Sequence, residues 1–296
     1  MEILNVSHVS KTIKKREIIK DISFSINEGE IVGFVGPNGA GKTTTMKLIT
    51  NLISCDAGNI TVCGHDLEAE RENALECLSA IVETPGLYAN LSGKDNVEFF
   101  RKLRNVDKKE ADRLIETLGM KERITDKVKK YSLGMKQRLA LIICLLSNPK
   151  LLILDEPTNG LDPTGTIELR NIIYEQAHHQ QMAVLISSHI LDELEKICDR
   201  IIFIKDGEIV SAKSCERSDV QVIQLKVDEP ELAVKILDGC DYVRRCKVHD
   251  GGLIVEIDQD RLNDLIVRLT SQAVTLRHIE TVQSLEQDYI DLFGVE

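Results

Sequence analysis

The stretch GPNGAGKTT, Gly36 to Thr44, limits what this chain can fold into more than any other segment. It follows a short apolar run, Ile31 to Val35, and opens a segment with helical spacing, KTTTMKLITNLI. The order is strand, glycine-rich loop, helix, and the loop satisfies G-x-x-x-x-G-K-[ST] at every required position. The glycines let backbone N–H groups converge on phosphate oxygens, and the helix N-terminus adds partial positive charge. Lys42 supplies a full charge for β- and γ-phosphates, and the Thr43 hydroxyl can ligate Mg²⁺. The loop residues Gly36, Pro37, Asn38, Gly39, Ala40, Gly41, Lys42, Thr43 and Thr44 are therefore expected around a nucleoside triphosphate.

A second segment completes the chemistry. In LLILDEP, Leu151 to Pro157, four apolar residues read as a buried strand that ends at Asp155. Asp155 can hold Mg²⁺ directly or through water, and Glu156 can orient or deprotonate an attacking water. Lys42 and Asp155 are 113 residues apart, and a block with three- and four-residue apolar spacing, about 89–145, fills most of that interval. Near its end, Ser132 in YSLGMKQR suits a helix N-cap, and Gly134 leaves room for a phosphate at the first turn.

The rest of the chain organises around these segments. Short β-like runs alternate with turns before residue 65, and strand–helix alternation resumes at Leu151. Asp206-Gly207 reads as a hairpin turn. A linker is expected near KSCERSD, after which residues 220–296 read as βαββαβ, an order that suits a ferredoxin-like domain. This gives two domains: 1–215 with the helical insertion, and an accessory 220–296.

Composition excludes several classes. A net charge of −11 argues against non-specific nucleic-acid binding, which needs a basic face. No apolar run approaches the roughly 18 residues of a membrane span. The first residues lack the order of a signal peptide, so a cytoplasmic location is expected. The eight cysteines include no C-x-x-C pair and read as reduced thiols. Cys240, Cys246, His249 and Asp250 match no standard metal spacing.

With these motifs in hand, residues 1–215 resemble the ATPase subunits of ATP-binding-cassette (ABC) transporters. GPNGAGKTT resembles the Walker A motif, LLILDEP the Walker B motif, and YSLGMKQR the family signature, usually L-S-G-G-Q. NGLDP, ending at Pro163, resembles the D-loop, and SSH, ending at His189, the switch histidine. The resemblance implies an α/β P-loop NTPase (RecA-like) core with an antiparallel β subdomain and an inserted helical subdomain. It also implies a head-to-tail dimer, identical or mixed, with ATP between Walker A of one cassette and the signature of the other. Ser132 and Gly134 would then touch the partner's γ-phosphate, Asp162 would link the two sites, and His189 would position the water with Glu156. Separate membrane permease subunits would place the protein at the inner face of the membrane.

The sequence departs from the family at three places. The signature carries Leu133 and Met135 where Gly and Gln are usual. Ile13 stands near where an aromatic residue usually stacks on adenine, and it offers no π-face. Glu83, in VETPGLY, occupies the usual Gln of the Q-loop. A carboxylate there can ligate Mg²⁺ but donates no hydrogen bond unless protonated, so Glu83 is expected to face metal or water. Glu83 together with SLGMKQR resembles the bacitracin and lantibiotic self-protection exporters. The expected function is ATP hydrolysis that energises export of an antimicrobial peptide or drug. The alternative is a soluble ABC ATPase acting on DNA, ribosomes or complex assembly. Leu87, Tyr88 and Phe99 are candidates for the permease contact.

Overall fold

The computed structural model describes residues 1–188, 190–215, 220–249, 251–258, 261–281, 289 and 292–294. They form two compact units, Met1–Cys215 and Glu216–Glu296.

The first unit is built on a six-stranded sheet of order β10-β9-β3-β8-β7-β6. Its strands are β3 (Ile31–Val35), β6 (Leu78–Ile81), β7 (Leu151–Asp155), β8 (Ala183–Ser187), β9 (Arg200–Lys205) and β10 (Glu208–Ser214). β3 pairs in parallel with β8 and β9, and β7 with β6 and β8. Strands covered on both faces carry continuous apolar runs, and β3, β7 and β8 are buried along their whole length. β10 runs antiparallel to β9 across the Asp206-Gly207 turn, where φ is 49° and 84°, as a type I′ hairpin requires.

A smaller antiparallel sheet, β2-β1-β4-β5, joins β1 (Glu2–Ile13), β2 (Arg16–Asn27), β4 (Ala57–Val62) and β5 (His65–Asp66). β4 and β5 form a tight hairpin: Cys63 and Gly64 both take positive φ and turn the chain. Leu4, Ile19, Ile22 and Ile26 of this sheet share one core with Phe34, Met46, Ile202 and Ile204. That core also buries α1 (Lys42–Ile49), while α2 (Arg71–Glu76) adds Ala74 to it.

The inserted block holds α3 (Gly93–Leu103), α4 (Lys108–Thr117) and α5 (Leu133–Leu145). Each start is fixed by a side-chain cap. Ser92 and Asp95 form a reciprocal capping box, Asp107 accepts from the Lys109 N–H, and Ser132 accepts from the Met135 N–H. The unit is completed by α6 (Pro163–Gln180) and α7 (Leu191–Glu195).

The second unit contains β11 (Val220–Val227), α8 (Pro230–Leu237), β12 (Val243–His249), β13 (Gly252–Asp258), α9 (Leu262–Ser271) and β14 (Leu276–Thr281). Its antiparallel sheet has the order β12-β13-β11-β14, with the first and third strands central, as in ferredoxin-like domains. Ile223, Leu225, Val255 and Ile257 pack with Leu237 and Leu265 in a core of its own. No cluster of three metal-ligating side chains occurs among the described residues, and Asp250 lies outside them.

Candidate nucleotide site

The phosphate loop is held by interactions only its sequence permits. A Cβ on Gly36 would lie 2.2 Å from the Ile204 carbonyl oxygen. Gly41 has φ 115°, and a Cβ there would meet Ile19 Cδ1 at 2.6 Å. The turn between β9 and β10 clamps the loop: the Gly207 N–H donates to the Ala40 carbonyl at 3.0 Å. Lys42 begins α1 and is 6% exposed. Its Nζ donates to the Gly36 carbonyl at 2.6 Å and the Pro37 carbonyl at 3.3 Å, curling the ammonium over the loop. Burial lowers its pKa, while the Glu156 and Asp155 carboxylates act in the opposite sense.

Asp155 joins two elements at the end of β7. Thr43 Oγ1 donates to its Oδ2 at 2.9 Å, and Ser187 Oγ, at the end of β8, donates to its Oδ1 at 2.7 Å. Ser187 also accepts from the Glu156 N–H at 2.9 Å. Hard oxygen donors thus converge beside a lysine and a Gly-rich loop, a donor set that fits Mg²⁺. Glu156 has φ 46°, a left-handed backbone that is costly for a side-chain-bearing residue. This turn takes its carboxylate off the strand axis, and Asn159 Nδ2 donates to its Oε2 at 3.4 Å.

Pro37 to Thr44, Glu156, Ile13, Arg16, Ile18 and Asp206 line one cavity of about 500 Å³. Ile13 is 39% exposed and faces Arg16 across the β1–β2 hairpin. Among the described residues its wall contains no aromatic side chain.

The other sequence-selected residues are placed elsewhere. Ser132, Gly134 and Asp162 line a separate cavity of about 340 Å³, with Leu133, Met135 and Gly160. Asp162 caps α6 by position, with Pro163 at the first helical residue and no side-chain cap bond. Glu83 follows β6 with φ 64° and is not part of the phosphate cavity. Its Oε1 lies 2.7 Å from Lys47 Nζ on α1. His189 lies outside the described residues.

Sequence reasoning missed Ser187, Lys47, Arg16 and Asp206. Lys47 could have been found, because it sits four residues after Thr43 and so shares its helix face. Arg16 and Asp206 are brought in by strand pairing, which no local pattern reveals.

Comparison with known proteins decides what this site belongs to. The family model for ABC transporters matches residues 19–159. Over 99% of its length the chain is 38% identical to an uncharacterized ABC transporter ATP-binding protein, YhcH of Bacillus subtilis (strain 168), covering 96% of that protein. The chain belongs to the ABC transporter family. It is an ATP-binding and ATP-hydrolysing subunit of a transporter, rather than a soluble ABC ATPase of another class. It is also 32% identical to the bacitracin transport ATP-binding protein BcrA of Bacillus licheniformis, over 99% of the chain and 97% of that relative. The lantibiotic transport ATP-binding protein SrtF of Streptococcus pyogenes is 41% identical across 73% of the chain and 93% of its own length. Among solved structures, an ATP-binding subunit of an ABC transporter superposes with a TM-score of 0.65 at 29% identity, over 72% of this chain and 90% of that one. A cassette dimer in a post-hydrolysis state with ADP and Pi shares the fold at a TM-score of 0.66 and 22% identity, over 72% of this chain and 99% of that one. No helix among the described residues is long and apolar enough to cross a membrane; subunits of this family work with permeases.

Proposed function

We propose that this subunit binds MgATP and energises export of an antimicrobial peptide or drug, giving self-protection, through separate permease subunits at the inner face of the cell membrane. The observation that carries the export reading is the match to BcrA along both units, not the cassette alone. In this reading Lys42 and the loop amides hold the β- and γ-phosphates. Thr43 and Asp155 hold Mg²⁺, with Glu83 as a further oxygen donor, and the ion would neutralise charge on the transferred phosphoryl group. Glu156 orients and deprotonates the attacking water, together with His189.

Two cassettes, identical or not, face each other head to tail. Ser132 and Gly134 then meet the partner's γ-phosphate, and Asp162 bridges the two sites. Ser132 at a helix start suits this role, because α5 presents N–H groups and partial positive charge there. A groove of about 340 Å³ lies between the sheet and the helical block, lined by Val82, Pro85, Leu87 and Phe100. Beside it the Tyr88 and Phe99 rings are exposed and pack edge to face, 5.2 Å apart. We assign this groove to a permease segment. The unit after residue 215 serves as an accessory domain. Deleting the gene and measuring bacitracin and lantibiotic susceptibility tests the export reading. Increased susceptibility that Lys42→Ala does not complement is expected; unchanged susceptibility to every such peptide would refute it.

A further inference from the structure

β6 and β7 run in parallel with Ile81 level with Leu154. The two strands thus end side by side, and Glu83 and Glu156 both leave them with positive φ just beyond that end. Three carboxylates therefore collect at one end of the sheet, next to a site that must also take a polyanion. Such a cluster raises its own electrostatic cost unless a cation balances it. Lys42 is bound to its own loop carbonyls. Lys47 supplies a second ammonium, one turn further along α1, and it is bonded to Glu83 at 2.7 Å. α1 therefore presents Thr43 to Asp155 and Lys47 to Glu83 from one face.

We infer that Lys47 is a positioning residue that holds Glu83 back from Asp155 and sets how readily a divalent cation enters with the nucleotide. This rests on the MgATP reading above. While paired to Lys47, the Glu83 carboxylate stands outside the phosphate cavity and is 60% exposed. Ligating a cation requires it to leave the ammonium. The positive φ of Glu83 adds a strained pivot at which that carboxylate can be re-aimed. The pair is thus a brake on metal entry, and the brake exists only because position 83 is an acid. A glutamine has no charge for Lys47 to hold.

A double-mutant cycle tests this with the full chain. Mn²⁺ binding is followed by electron paramagnetic resonance in the presence of a non-hydrolysable ATP analogue, so that the readout is affinity and not turnover. An exposed ion pair is weak, so Lys47→Met should tighten Mn²⁺ binding by only about threefold. Lys47→Arg, which keeps the pair, should leave it unchanged. In a Glu83→Gln background, Lys47→Met should lose most of its effect, because the carboxylate it released is gone. An unchanged or weakened Mn²⁺ affinity in Lys47→Met would overturn the inference, as would an equal effect in both backgrounds. If the unaltered chain bound the analogue but no Mn²⁺ beside it, both the inference and the metal assignment would fall. If it bound neither, the nucleotide reading itself would be wrong.

Discussion

The phosphate loop and the signature segment differ in how they are held. Lys42 and Asp155 are 6% and 8% exposed, Ser187 is fully buried, and Thr43, Asp155, Ser187 and Glu156 are tied in one hydrogen-bonded chain. The signature sits on an exposed helix start, where Leu133 is 43% exposed. At that start the Met135 N–H donates to the Ser132 hydroxyl at 3.3 Å. One half is thus tied together inside a single chain, and the other is an exposed helix start that we assign to the partner's nucleotide. Sequence follows the same division. The buried half keeps every motif residue, because the Ile204 carbonyl and Ile19 side chain leave no room for change at Gly36 and Gly41. The exposed half tolerates Leu133 and Met135.

The largest effect should come from the buried half. Lys42→Ala removes the ammonium curled over the loop, and nucleotide binding should fall about 100-fold or more by fluorescence titration. Glu156→Gln should lower kcat by about 10²–10³ while ATP still binds; normal phosphate release in that variant would remove Glu156 as the base. Ser132→Ala should leave nucleotide affinity of the isolated chain unchanged and cut hydrolysis about tenfold, together with about 1 kcal/mol of helix capping. An equal loss of affinity would erase the difference between the two halves.

The smallest effect concerns Leu133. A Cβ on Gly160, at φ 77°, would come 2.7 Å from Leu133 Cδ2. Gly160→Ala should therefore destabilise the chain by about 1–2 kcal/mol in urea unfolding. Adding Leu133→Ala should recover only the steric part. Full recovery would mean that the backbone at Gly160 is unstrained, and no recovery that Leu133 does not pack there.

Much of this is legible in the sequence. The loop, the acidic strand end and the helical insertion were marked by local spacing, because glycine, lysine and buried apolar runs have few alternatives. The βαββαβ order of residues 220–281 was likewise carried by period. What escaped depends on pairing between distant strands. Ser187 reaches Asp155 only because β7 and β8 are neighbours, and Asp206 reaches the nucleotide cavity only because its turn is hydrogen-bonded to Ala40. The family resemblance marks Glu83 as unusual, but its partner Lys47 appears only when α1 is packed on the sheet.

Sedimentation of the Glu156→Gln variant, with and without MgATP, tests most directly whether the two halves belong to different chains. The account predicts a dimer that forms with MgATP, falls apart on its removal, and is lost in Glu156→Gln/Ser132→Arg. A chain that saturates with MgATP and sediments as a monomer at every concentration would contradict it.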